Sequence, residues 1–168
     1  YKSAAFDLFC KEHGIARQFT VPETPQQNGV AERKNRTLVE VVLSLLNHSG
    51  LSRSYWGEAI HTANYLQNRT PTKALDVDKT PYELWYGRKP NLSHLKVFGC
   101  RAHVHINKSH RGKLDNHAED CIFLGYPDDS TSRDVYRVQR TTDRKVIVAR
   151  DVRFKEDQPG GRGPGTLE

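Results

Sequence analysis

Near His94 the hydrophobic periodicity of this chain changes, and that change limits what the chain can fold into. Before it, apolar residues recur at spacings of three, four and seven, the mark of helices with one buried stripe. After it they alternate with polar residues, the mark of strands with one buried face. The first part predicts a short helix over 3–13, with Ser3 as its cap, Phe6, Phe9 and Cys10 as its stripe, and Gly14 at its end. It predicts a strand over 15–21, IARQFTV, and a loop over 22–29, PETPQQNG. A long helix follows from Val30 to Asn47, its stripe made of Val30, Ala31, Leu38, Val41, Val42, Leu45 and Leu46. Another runs from Ser54 to Gln67 on Trp56, Ala59, Ile60, Ala63 and Leu66. Thr80-Pro81-Tyr82-Glu83 has the form of a capping box with proline at the first helical position, and it opens a single turn that Gly87 ends.

Past His94 the predicted strands are 95–106, 119–126, 133–139 and 145–154, with turn residues at Asp128-Asp129-Ser130 and Thr141-Thr142-Asp143. Short strands at this spacing suggest a small barrel or an open meander. The tail DQPGGRGPGTLE is rich in proline and glycine and reads as a disordered linker. The expected division is therefore 1–92, mostly helical, then 93–155, a β module, then a linker over 156–168. The tryptophans Trp56 and Trp85 and the phenylalanines are expected in the core.

Composition narrows the function classes. The 168 residues suit one medium domain or two small ones, and a net charge of +6 suits an acidic partner, with nucleic acid the commonest. Cys10, Cys100 and Cys121 are odd in number and form no CxxC pair. They read as reduced, buried thiols of an intracellular protein, not as a disulfide framework or a protease nucleophile. No apolar run is long enough to span a membrane. There is no methionine, even at position 1, so the chain is read as a piece of a longer polypeptide or of a decayed gene.

The most informative stretch is TPQQNGVAERKNRTL, residues 24–38. A polar, helix-breaking loop runs into a helix whose first turn carries one acid, Glu32, followed by Arg33, Lys34 and Arg36. Two readings stand at this point. Glu32 is a first-turn acid favoured by the helix N-terminus, or it is a metal ligand facing a polyanion. The bases are a solvated helix face or contacts to phosphate. Glu32 and Arg36 lie one turn apart and share a face. Gln27 and Asn28 either shape the turn or position DNA or a metal-bound water. His103 and His105 alternate to one side of a strand, with His110 and His117 following. No acid or cysteine completes a recognised metal spacing there, so they read as exposed strand histidines. Residues 101–113 carry Arg101, Lys108, Arg111 and Lys113 with no acid, which suits either a nucleic-acid-binding loop or a solvated turn.

The run TPQQNGVAER resembles the Thr-Pro-Gln-x-Asn-Gly-x-x-Glu-Arg signature of copia-type retrotransposon integrases. The likeness continues through SYWGEAIHTANYLQNRTP and TPYELWYGRKPNLSHLKVFGCRAHVHI. DCIFLGYPDDSTSRDVYRV and KVIVARDVRF are similar to the SH3-like module that follows the catalytic domain in retrotransposon polyproteins. This resemblance implies an α/β fold: the C-terminal part of an RNase H-like catalytic core, followed by a small SH3-like β-barrel. It implies that Glu32 is the last acid of a D,D-35-E triad, and that Asn28, Lys34 and Arg36 are DNA contacts. It implies Mg²⁺ or Mn²⁺ as the cofactor of the whole enzyme, because strand transfer uses two divalent ions and hard cations take carboxylate oxygens. The partners it implies are retrotransposon cDNA ends, target DNA and other integrase protomers, with no membrane. The implied location is intracellular, in the nucleus or a cytoplasmic virus-like particle. In the D,D-35-E pattern both aspartates fall upstream of Tyr1, and Asp7 has the wrong spacing. The piece is therefore expected to bind no metal pair and to be inactive alone, which leaves open whether it is an enzyme by itself. The alternative is a non-catalytic nucleic-acid-binding or multimerisation module, host-adopted or a pseudogene product.

Overall fold

The computed structural model describes residues 3–19, 21, 28–73, 75, 78–107, 111–113, 116–127 and 134–161. Packing divides the chain into two compact units, Tyr1–Arg36 and Thr37–Glu168. That division falls inside a helix.

In the first unit, helix α1 spans Ala4–Glu12, and the Ser3 hydroxyl accepts the Phe6 N–H at 3.3 Å, as a capping serine does. Cys10 is buried, but Phe6 and Phe9 are exposed by 39% and 47%. The Asp7 carboxylate is ion-paired with Arg17, whose guanidinium lies over the rings of Phe6 and Phe19. The strand expected over 15–21 is not formed: residues 15–19 and 21 carry no strand, and no strand among the described residues pairs with them. Alternation alone does not make a strand, because the backbone groups need a partner's ladder.

Helix α2 runs Gly29–Ser49 and is shared by both units. In the second unit its later turns bury Val42, Leu46 and Ser49. A single 3₁₀ turn, Arg53–Tyr55, leads into helix α3, Trp56–Gln67, which buries Ala59, Thr62 and Ala63. Val42, Leu46, Ala59, Ala63 and Phe98 form one core, flanked by Leu38, Val41, Leu45 and Ile60. Helix α4, Pro81–Tyr86, is opened by the predicted capping box. The Thr80 hydroxyl accepts the Glu83 N–H at 3.2 Å, and the Glu83 carboxylate accepts the Thr80 N–H at 2.8 Å. The tryptophans depart from expectation: Trp56 is 61% exposed and Trp85 83% exposed.

The β module is an antiparallel sheet of five strands: β1 Cys100–His105, β2 Ala118–Gly125, β3 Tyr136–Arg140, β4 Val146–Ala149 and β5 Val152–Pro159, in the order β4-β3-β2-β1-β5. The single strand predicted over 145–154 is two strands, broken at Arg150 and Asp151. They lie at opposite ends of the strand order yet are joined by two residues, which requires the sheet to curl until its edges approach. Its inner face buries Cys100, Ala102, Val104, Cys121, Phe123, Tyr136 and Val138. Phe123 meets Tyr126, Tyr136 and Phe154 edge to face, with centroids 5.3 to 5.9 Å apart.

Helix α3 covers part of the outer face. The Thr62 hydroxyl donates to the Leu124 carbonyl at 3.0 Å, Arg137 grips Glu58 with two hydrogen bonds of 2.7 and 3.0 Å, and the Tyr55 hydroxyl meets Gln139 at 2.6 Å. The expected linker also needs correction. Residues 156–159 continue β5, and the chain then docks on the helical core. The Gly160 N–H donates to the Gly99 carbonyl at 2.7 Å, and the Gly161 N–H to the Ser49 carbonyl at 3.2 Å, satisfying a carbonyl at the end of α2. The glycines that suggested flexibility serve close approach: a Cβ on Gly161 would sit 2.0 Å from the Gly50 carbonyl oxygen. Residues 162–168 lie outside the described part.

Candidate functional site

The start of α2 carries most of the residues that the sequence singled out. Asn28 precedes the helix, and Glu32 occupies its first turn. Asn28, Glu32, Arg33, Lys34 and Arg36 are all exposed. Helix geometry puts Arg36 directly below Glu32 and turns Lys34 toward another side. The amide end of the helix favours a carboxylate in that turn. Gln27, with the rest of 22–27, lies outside the described residues. A Cβ on Gly29 would meet nothing within 4 Å, so packing does not demand the glycine.

Val30 and Ala31 are not part of a buried stripe. Val30 is 83% exposed, and after Gly29 the next partly buried position is Leu38. The first turns of α2 are thus an open surface carrying one acid and three bases. Among the described residues no group of three or more histidines, cysteines or acids is placed to hold a metal. Asp7 is engaged by Arg17. The described residues therefore do not form a two-metal centre.

The other candidates have simpler accounts. His103 and His105 do share the outer side of β1, and the His103 Nδ1 lies 2.7 Å from the Asp120 carboxylate, a cross-strand pair. Lys108 and His110 lie outside the described residues. All three cysteines are free and buried. Burial pushes the Cys100 and Cys121 thiols up to about 11, so neither is a thiolate near neutral pH. Sequence reasoning missed Arg153 and Lys155. They stand opposite His103 and Arg101 across the β1–β5 ladder. Their outward alternation with Val152 and Phe154 was readable, but their neighbours depend on a pairing that sequence does not give.

Residues 100–165 match the retroviral polymerase SH3-like domain family. Over 158 residues the chain is 48% identical to the retrovirus-related Pol polyprotein from transposon TNT 1-94 of Nicotiana tabacum, a match covering 94% of this chain and 12% of that protein. It is 36% identical over 149 residues to the Pol polyprotein from transposon RE1 of Arabidopsis thaliana, covering 89% of this chain and 10% of the relative. An uncharacterized mitochondrial protein of Arabidopsis thaliana is 35% identical over 85 residues, which are 51% of this chain and 68% of the relative. The chain thus spans about a tenth of the length of the polyproteins it matches.

Proposed function

We propose a role for a chain that corresponds to a segment of retrotransposon Pol polyproteins and whose residues 100–165 belong to the retroviral polymerase SH3-like family: it is the integrase part of such a polyprotein, joining the end of an RNase H-like catalytic core to the SH3-like module. The whole enzyme inserts retrotransposon cDNA into target DNA by metal-dependent strand transfer, as one of several protomers, in the nucleus or a virus-like particle.

The observation that carries this reading is the run Thr24-Pro-Gln-Gln-Asn-Gly-Val-Ala-Glu-Arg33 leading into a helix that presents Glu32 on its open first turn. In this reading Glu32 contributes one carboxylate to an Mg²⁺ or Mn²⁺ pair completed by acids elsewhere in the enzyme. The ions would activate the attacking 3′-hydroxyl and stabilise the leaving oxygen. Arg36, on the face of Glu32, and Lys34 neutralise DNA phosphates, and Asn28 orients the strand. Glu32→Gln in the full-length enzyme is expected to lower strand transfer by about a hundredfold or more while DNA binding persists. Unchanged strand transfer overturns the assignment. DNA binding with no strand transfer in the unaltered full-length protein favours the second reading, a non-catalytic binding module.

A further inference from the structure

The two edges of the sheet differ. β5 ends one side as Val-Arg-Phe-Lys-Glu-Asp-Gln-Pro, and its charges and closing proline discourage another chain from pairing with it. β4 ends the other side as Val-Ile-Val-Ala, with no charge and no proline. The two edges do not pair with each other, although Arg150 and Asp151 join them at one corner.

The ladder fixes which groups β4 offers. The Arg140 N–H donates to the Lys145 carbonyl at 3.0 Å. Bonded and non-bonded pairs alternate along an antiparallel ladder, so Val138–Ile147 and Tyr136–Ala149 are bonded pairs. Val146 and Val148 then turn their N–H and C=O groups away from β3, and among the described residues no bond to those groups is made. Ile147 and Ala149 pack on the core, while Val146 and Val148 share the outer side. Among the described residues of the five strands, Val148 is the one exposed large apolar side chain, at 55%.

The shortness of β4 limits accidental pairing, but it gives no reason for Val148 to stand in water. Basic residues flank the strand: Arg144 and Lys145 before it and Arg150 after it, all exposed. Of the nearby acids, Asp143 is held by Arg140 and by the Lys145 N–H, and Asp151, at φ +52°, belongs to the turn into β5. A second copy of the chain fits this edge badly. Pairing needs Val146 or Val148 of one copy bonded to Val146 or Val148 of the other. Centred on Ile147, such a pairing sets Arg144 opposite Arg150 of the second copy at both ends. Centred on Val148, it sets Val146 opposite Arg150, and each copy carries a net charge of +6.

We propose that the open edge of β4 takes up an extended segment of another protein as an added antiparallel strand, apolar at alternate positions and acidic at both ends. Main-chain bonds to Val146 and Val148 hold the segment, and its acids, opposite Lys145 and Arg150, select it over neutral or basic strands. Its apolar residues cover Val148 on the outer side of the sheet. The inference rests on neither Glu32 nor a catalytic role for the chain: β4 lies in the Thr37–Glu168 unit, and the test reads peptide binding.

The probe is the capped peptide Glu-Thr-Val-Thr-Val-Glu, titrated into the isotope-labelled full chain while amide NMR signals are followed. Saturable shifts centred on Val146 and Val148 are expected. The same peptide with both valines replaced by proline lacks the donors and should bind about tenfold more weakly or worse. Val148→Pro in the chain removes one outward N–H while sparing the bonded pairs with β3, and should weaken binding by about the same factor. Lys145→Glu should weaken the acidic peptide and strengthen its lysine-ended counterpart, each by about two- to fivefold. If Val148→Pro melts lower than the parent chain, Lys145→Glu, on the exposed flank, still decides. Unmoved β4 amides at millimolar peptide overturn the proposal. So does undiminished binding of the proline peptide, and so does equal binding of the acidic and lysine-ended peptides. Dimerisation that moves the same amides without peptide also overturns it, because a second copy would then be the occupant.

Discussion

From Gly29 to Arg36, α2 buries no side chain, and even Val30 stands 83% exposed. From Leu38 onward the same helix packs Val42 and Leu46 against α3 and Phe98, and its last residue, Ser49, is 1% exposed. One half carries charge in the open, and the other is fixed by contact along one face. The difference teaches where tolerance lies. At the packed end a single added methyl, on Gly99 or Gly161, meets Ser49 or the Gly50 backbone, and at the open end a changed side chain meets water. The two halves should therefore answer mutation in opposite ways, in stability at one end and in chemistry at the other.

The sharpest test of the packed end is Gly99→Ala. Gly99 has φ +73°, and a Cβ there would lie 2.3 Å from the Ser49 Cβ. Left-handed strain and overpacking together predict a loss of about 3 kcal/mol or more, read by urea denaturation. A loss under about 1 kcal/mol would mean that the end of α2 yields, and that the contrast between the halves is overstated. Next in size is Glu58→Gln. The Arg137–Glu58 pair is bidentate, but its side chains are 33% and 22% exposed, so solvent screens it. The expected cost is about 1 kcal/mol, and it should shrink in high salt. A cost that salt leaves unchanged would show that the pair acts by shape more than by charge.

How much of this was legible follows from the kind of interaction involved. Local chemistry read well. The Ser3 cap, the Thr80–Glu83 box and the runs of α2 and α3 depend on residues three or four apart, which sequence displays directly. Partnership did not read. IARQFTV alternates like a strand but has no ladder among the described residues, and KVIVARDVRF reads as one strand-forming run yet turns at Asp151, where φ is +52°. Trp56 was assigned to the core from the stripe of its helix and Trp85 as a large apolar residue, and both are largely exposed. The Pro159-Gly160-Gly161 segment was taken as slack because glycine signals both freedom and closeness, and only the neighbouring Gly50 carbonyl decides which. At the candidate site the motif located Glu32 and its bases. The facing of Arg101 by Lys155 and of His103 by Arg153 was invisible, because these residues are about fifty apart in sequence and meet only through register.

Thr80→Ala should cost a similar or smaller amount, about 1 kcal/mol, by removing the cap of α4. The box also carries a pH dependence. The Glu83 carboxyl is held below its usual value, first by the hydrogen bond from the Thr80 backbone. A lowered carboxylate contributes its stability above the unfolded-state value near 4.5, and loses it as pH falls through the lower folded-state value. Loss of α4 order, followed by amide exchange or by Trp85 fluorescence, is thus expected on acidification below that range and not on raising pH. Loss on the alkaline side would point to a group other than Glu83.

The smallest expected effect on folding belongs to the residue proposed to matter most for chemistry. Glu32 is exposed in a turn that buries nothing, and its structural contribution is confined to the helix N-terminus. Glu32→Gln keeps the side chain's shape and removes that charge, so the expected loss of stability is a few tenths of a kcal/mol, shrinking with added salt. The measurement is a pair of urea titrations at low and high salt on the full chain. A loss above about 1 kcal/mol would mean that the carboxylate is held in place for folding, and a fall in strand transfer by the same substitution would then have a structural cause. A near-zero loss, beside a large fall in strand transfer in the whole enzyme, separates chemistry from fold at this position. Folding then gives no reason for an acid there, and the reason must come from what the open end of α2 meets.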